Sequence, residues 1–151
     1  SMTSEASLTI NPGILSLDSV SNFDFGTRNI ADFAQQEKVI TTVSNETSSV
    51  SDFRGPNTVG WQLTAKLSKI SNADQKELAN AKITLKGTET AGDAALSANA
   101  ELVAGATDLT SVATADGATG LAINTFDFLT TTLTVPQQNV YSGDYTGMDI
   151  I

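Results

Sequence analysis

The chain contains no cysteine and no histidine. Their absence removes disulfides, thiol nucleophiles, the usual zinc ligands, and both Ser-His-Asp and Cys-His catalysis. Basic residues are scarce: eight Lys and Arg stand against 17 Asp and Glu, giving a net charge of −9 and a pI near 4.2. A chain this acidic has no electrostatic footprint for nucleic acid or anionic lipid, and teichoic acids, being polyanions, suit it no better. No apolar run approaches the roughly 18 residues that a membrane span requires, so no membrane insertion is expected. Aromatics are 6% of the chain, with a single tryptophan, which is poor material for a sugar-cleaving cleft with several subsites. No enzyme and no cofactor is expected.

What is present points to strands. At 151 residues the chain is expected to form one domain, long enough to bury a core without staples. Thr, Ser, Ala, Asn and Gly are abundant and only 17% of residues are charged, a composition that suits an exported β-protein. Ser1-Met2 reads as a cloning remnant, with the natural leader removed.

The clearest element surrounds the tryptophan. A loop rich in Gly, Pro and Asn (Asp52 to Gly60) ends abruptly in an alternating segment. Trp61, Leu63, Ala65 and Leu67 share one face, and Gln62, Thr64 and Lys66 the other, the mark of a half-buried strand over Val59 to Lys69. Strands are also expected at Glu5 to Ile10 and at Val20 to Phe25. At Lys38 to Val43 both faces read as coverable. Further strands are expected at Ala81 to Lys86, near 100 to 103 and 109 to 113, at Leu121 to Phe126, at Leu129 to Val135, and from Asp144 to the chain end. Asn45 to Ser51 reads as a turn or a continuing edge strand. Residues 27 to 37 carry no clear period, with Phe33 as a plug under a loop. The best helix candidate is Asn72 to Asn80, where Asn72 and Gln75 have capping-box spacing. Residues 88 to 120 read as a long, partly irregular excursion. Short strands between Gly, Pro and Asn turns predict an all-β fold, a β-sandwich or partly open barrel of Ig-like type with one short helix.

Four blocks, in order, resemble the WxL domain family of Gram-positive cell-surface proteins. They are Ser21-Asn22-Phe23-Asp24-Phe25-Gly26; Val50-Ser51-Asp52-Phe53-Arg54-Gly55 leading to Gly60-Trp61-Gln62-Leu63-Thr64-Ala65; Leu78-Ala79-Asn80-Ala81-Lys82-Ile83-Thr84-Leu85; and Leu133-Thr134-Val135-Pro136 followed by Ser142-Gly143-Asp144-Tyr145-Thr146. The Asp-x-Arg-Gly to Trp-x-Leu block is the specific one. The family usually closes with a second Trp-x-Leu after the Tyr-Thr pair, and this sequence reaches Ile151 without one. The resemblance implies a non-catalytic domain that holds a secreted protein on the cell wall by binding peptidoglycan non-covalently. It also implies partnership with a WxL-interacting protein or with other WxL proteins. A protein-interaction module and a host-matrix adhesin are the alternative readings.

Trp61, Leu63, Asp52, Arg54 and Tyr145 are the candidate ligand-binding residues. The Trp61 indole offers a π-face for a sugar ring, yet its face is shared with Leu63, Ala65 and Leu67, which favours the core. Asp52 and Arg54 could pair or bracket a polar ligand at the loop; the favoured reading is that Asp52 caps the loop's backbone N–H groups while Arg54 packs flat and forks to a carboxylate, and in either case the pair rigidifies the turn before the tryptophan strand. Asp18, Asp24, Asp127 and Asp149 would form a Ca²⁺ site only if strand ends met. No Asp-x-Asp loop supports that, and no metal is expected.

Overall fold

The computed structural model describes residues 2–147 and 149–150. Strand takes up 38% of the chain and helix 4%, so the fold is all-β with one short helix, as the sequence predicts. The strands are β1 (Leu15–Ser19), β2 (Phe23–Asp24), β3 (Lys38–Thr41), β4 (Ser44–Asn45), β5 (Ser48–Asp52), β6 (Trp61–Lys66), β7 (Lys82–Leu85), β8 (Thr88–Ala91), β9 (Ala95–Leu96), β10 (Ala100–Val103), β11 (Thr110–Ala115), β12 (Ala122–Asp127), β13 (Thr132–Val135) and β14 (Asp149–Ile150). The helix α1 spans Ile30–Gln35.

Three four-stranded antiparallel sheets carry the fold. The first has order β1-β5-β12-β8, the second β10-β7-β13-β3 and the third β14-β6-β11-β9, while β2 and β4 form a separate pair. Alternation decides which side chains meet between them. In the second sheet Leu102 faces Ile83, Ile83 faces Leu133 and Leu133 faces Ile40, one continuous apolar row across all four strands. Every member of that row is buried. The first and third sheets meet through Trp61 of β6 and Phe126 of β12, edge to face at 6.5 Å between centroids, and Phe128 stacks on beyond.

Several expectations are corrected. Glu5 to Ile10 forms no strand: every residue of it is exposed and none joins a sheet. Asn72 to Asn80 is not a helix. The Asn72 side-chain oxygen accepts the backbone N–H groups of Asp74 and Lys76, and Gln75 and Asn80 take left-handed φ values of 62° and 55°. The asparagine satisfies the backbone as a turn and so competes with helix formation. The helix forms instead at Ile30–Gln35, within the stretch that shows no period, where the Asp32 carboxylate accepts the Asn29 N–H at 2.9 Å. Phe33 on it packs against the core, as expected. Ser48–Asp52 is neither turn nor edge but an inner strand, paired with β1 and β12. Lys38 to Val43 is covered on one face only, since β3 is an outer strand on which Ile40 is buried while Val39 stays exposed; Val43, just past its end, is exposed as well.

The four-strand row sets an expectation for stability. Ile83→Ala is expected to cost about 2–4 kcal/mol, and Val39→Ala on the exposed face less than about 0.5 kcal/mol. Urea unfolding followed by the emission of Trp61 checks both.

Candidate functional site

The tryptophan strand is anchored by the loop before it. Asp52 ends β5 and its side chain is fully buried, while Arg54 turns back onto it. The guanidinium forks onto the carboxylate, with Nε to Oδ1 at 2.9 Å and Nη2 to Oδ2 at 3.0 Å, and the Arg54 backbone N–H reaches Oδ1 at 3.1 Å. Nη2 also donates to the Gly60 carbonyl at 2.9 Å. One side chain therefore ties the end of a strand in the first sheet to the start of a strand in the third. The Arg54 hydrogen bonds hold the Asp52 carboxyl below the usual carboxylate range, against the desolvation that would raise it.

Asn57 closes the same loop from inside. Its side-chain oxygen accepts from Val59 N and Gly60 N, its amide donates to the Gly55 carbonyl, and its backbone N–H donates to the Gly117 carbonyl. Gly60 has φ +65°, and a Cβ there would overlap the Ala115 carbonyl, so only glycine lets β6 begin this close to β11. Asp116 steadies the facing turn by accepting from Ala118 N, Thr119 N and the Thr119 hydroxyl, and these bonds lower its pKa.

Trp61 is 8% exposed. Its indole N–H donates to the Gly120 carbonyl at 3.0 Å, and that carbonyl also accepts from the buried Asn124 amide at 2.8 Å. Gly120 has φ +75°, and a side chain there would press on the indole ring. The structure therefore brings Trp61, Leu63, Asp52 and Arg54 into one junction between the first and third sheets. Trp61, Leu63 and Asp52 are buried there, and Arg54 is 30% exposed.

Tyr145 lies elsewhere, on the wall of an open cleft of about 1380 Å³. Ile40, Ile83 and Leu133 of the second sheet form the floor. One wall carries Phe23 and Phe25, whose rings stack at 6.3 Å. The other is the segment after β13, which crosses back over the fold. Gln138 fastens that segment by pairing its side-chain amide with both backbone groups of Ala79, and Ser71 bonds Thr146 in both directions. The Tyr145 hydroxyl donates to the Tyr141 carbonyl at 2.7 Å, while the Tyr141 ring is 61% exposed with Lys76 Nζ 4.8 Å above it. Asp24, Arg28 and Asp144 are the charged residues of the lining. Sequence reasoning names Tyr145 but not Tyr141 or the Phe23–Phe25 wall, which line the same cleft. No local pattern records that the chain from 20 to 33 and the chain from 140 to 147 face each other. Among the described residues no group of three Asp or Glu side chains gathers as a metal site.

The domain is thus all-β, with its tryptophan strand locked by a buried Asp-Arg fork and a separate open cleft. The chain belongs to the WxL domain family, the surface cell wall-binding WxL domain, whose model matches residues 2–148. It is thus a domain of the cell surface, associated with the cell wall. No curated protein and no solved structure matches the chain.

The Asp52–Arg54 fork has a pH signature. Because the folded carboxyl lies below its unfolded value of about 3.9, its contribution is fully present above that value and is lost as pH falls through the folded one. Asp52→Asn is expected to destabilise the domain by about 2 kcal/mol at neutral pH. It is also expected to flatten the acid limb of the stability curve below about pH 4, as read by urea unfolding across pH.

Proposed function

We propose that this domain retains a secreted protein on the Gram-positive wall by binding peptidoglycan non-covalently, without cleaving it. Family membership supplies the wall, and the cleft is the observation that carries the rest. Phe23, Phe25, Tyr141 and Tyr145 give it aromatic faces for the C–H surfaces of sugar rings, and Asn22, Asn29 and Ser142 on its lining give amide and hydroxyl partners for sugar and peptide groups. Few charges line it, which suits an extended glycan better than a polyanion. In this reading Tyr145 and Tyr141 touch the ligand. Trp61, Leu63, Asp52 and Arg54 serve it at a distance, by fixing the sheets that carry the cleft.

The alternative is a protein-interaction module that meets a WxL-interacting protein or another surface protein. It draws on the apolar groups of the outer strand β3 and its end, where Val39 is 61% and Val43 68% exposed.

Co-sedimentation with purified peptidoglycan stripped of teichoic acid separates the two. The domain is expected to pellet with the wall and release no soluble fragments. Tyr141→Ala is expected to weaken binding roughly tenfold with unchanged melting, while Trp61→Phe keeps binding and loses stability. A folded domain that stays in solution overturns the wall reading. Binding lost in a folded Trp61→Phe protein and kept in Tyr141→Ala would move the contact to the tryptophan loop.

A further inference from the structure

The cleft carries two charges that the fold itself does not use. Arg28 lines it from the wall that leads into α1, and Asp144 from the wall that follows β13. Both are exposed, and among the described residues neither side chain makes an ion pair or a hydrogen bond. In a chain with 17 acidic to eight basic side chains, an arginine without a carboxylate stands out. The other arginine, Arg54, is forked onto Asp52. The remaining charges near the cleft are engaged within the fold. The Asp24 carboxylate accepts the Gly26 N–H at 2.8 Å, and Lys76 Nζ lies over the Tyr141 ring.

The backbones under these two charges are pinned. Arg28 stands between Gly26, whose N–H is held by Asp24, and Asn29, whose N–H donates to the Asp32 carboxylate. Asp144 stands between Ser142, whose carbonyl accepts the Asn72 side-chain amide at 3.0 Å, and Thr146, which bonds Ser71 in both directions. Asn72 is itself buried, with its side-chain oxygen taken by Asp74 N and Lys76 N, so that wall is locked from below. Opposite charges on fixed supports make the cleft dipolar from one wall to the other. A bare strand of N-acetylated sugars has only neutral amides and hydroxyls to offer such a site. The peptide stem attached to that strand carries free carboxylates and, where it is not cross-linked, the amine of its diamino acid.

We propose that Arg28 and Asp144 hold the peptide stem of the wall polymer, Arg28 by forking onto a stem carboxylate and Asp144 by accepting from a stem ammonium. The aromatic groups between them are left to the sugar. This rests on the peptidoglycan reading of the cleft and specifies which part of the polymer is recognised. Both ion pairs face solvent, so each adds modest affinity and fixes the orientation of the ligand.

Co-sedimentation with peptidoglycan in three forms tests this: untreated, with its free amines acetylated, and with its free carboxyls converted to amides. The wild type is expected to bind the untreated wall and to lose about threefold to fivefold in affinity on either modified wall. Arg28→Gln is expected to bind the untreated wall as the wild type binds the amidated one, to be weakened no further by amidation, and still to respond to acetylation. Asp144→Asn is expected to show the reverse. Neither side chain has a partner in the fold, so both variants are expected to melt as the wild type does. Arg28→Lys, which keeps the charge without the fork, is expected to fall between wild type and Arg28→Gln. Equal binding of the wild type to all three walls overturns the proposal and leaves the wall reading standing. A folded wild type that does not bind the untreated wall overturns both. A variant that keeps the sensitivity it should have lost overturns the assignment of that residue.

Discussion

The structure depends on one buried carboxylate. Asp52 sits where the first sheet hands over to the third, and a buried charge there is tolerable only because Arg54 and a backbone N–H surround it. The same guanidinium reaches the Gly60 carbonyl. The eight-residue path from β5 to β6 is thereby closed by a single planar group instead of by a disulfide, which a cysteine-free chain does not have. Everything downstream inherits this geometry: the start of β6, its register with β11, and the placing of Trp61 under the Gly120 carbonyl. Lysine in place of Arg54 would supply the charge without the fork, and so could not hold both carboxylate oxygens and the carbonyl in one plane.

In this chain the Asp-x-Arg-Gly to Trp-x-Leu block builds a junction between two sheets. Gly60 marks a close backbone approach, Asn57 between the two blocks caps the loop from within, and Trp61 fills the space between two sheets while spending its one polar atom on a carbonyl. The open cleft is assembled from segments outside that block. Its walls are the chain before and within α1 and the chain after β13, and the Gln137 side-chain amide and the Gln138 backbone N–H tie the second to the first by donating to the Ala34 and Phe33 carbonyls.

Legibility followed the range of the interactions. Trp61 to Lys66, Lys82–Leu85 and Ala100–Val103 alternate, a local consequence of having one face buried, while Thr132–Val135, buried on both faces, was readable from its β-prone run of Thr, Leu and Val. Ser48–Asp52 was not, since its buried Ser48 and Ser51 and half-buried Ser49 are satisfied by hydrogen bonds to Ser21, Asp18 and Thr125 that lie far along the chain. Asn72 misled because the same side chain caps helices and builds turns. The six-residue helix is shorter than two helical turns, too brief to impose a period, although Asn29 and Asp32 at capping spacing mark its start. In the candidate site the role of Asp52 and Arg54 in rigidifying the loop was legible from the loop's Gly, Pro and Asn content, while the second bond that carries the Arg54 guanidinium to the Gly60 carbonyl was not. The cleft was not, because it exists only where distant segments converge.

The floor of the cleft is also the apolar row that binds the four strands of the second sheet. A ligand would rest on the core itself, with no separate layer between recognition and stability. Substitutions that reshape the floor would unsettle the sheet, so diversification of what the domain holds is channelled to the rim, the segments 20–30 and 140–147. Related domains are expected to share this floor and differ at the edge, in the manner of a common mount fitted with interchangeable jaws.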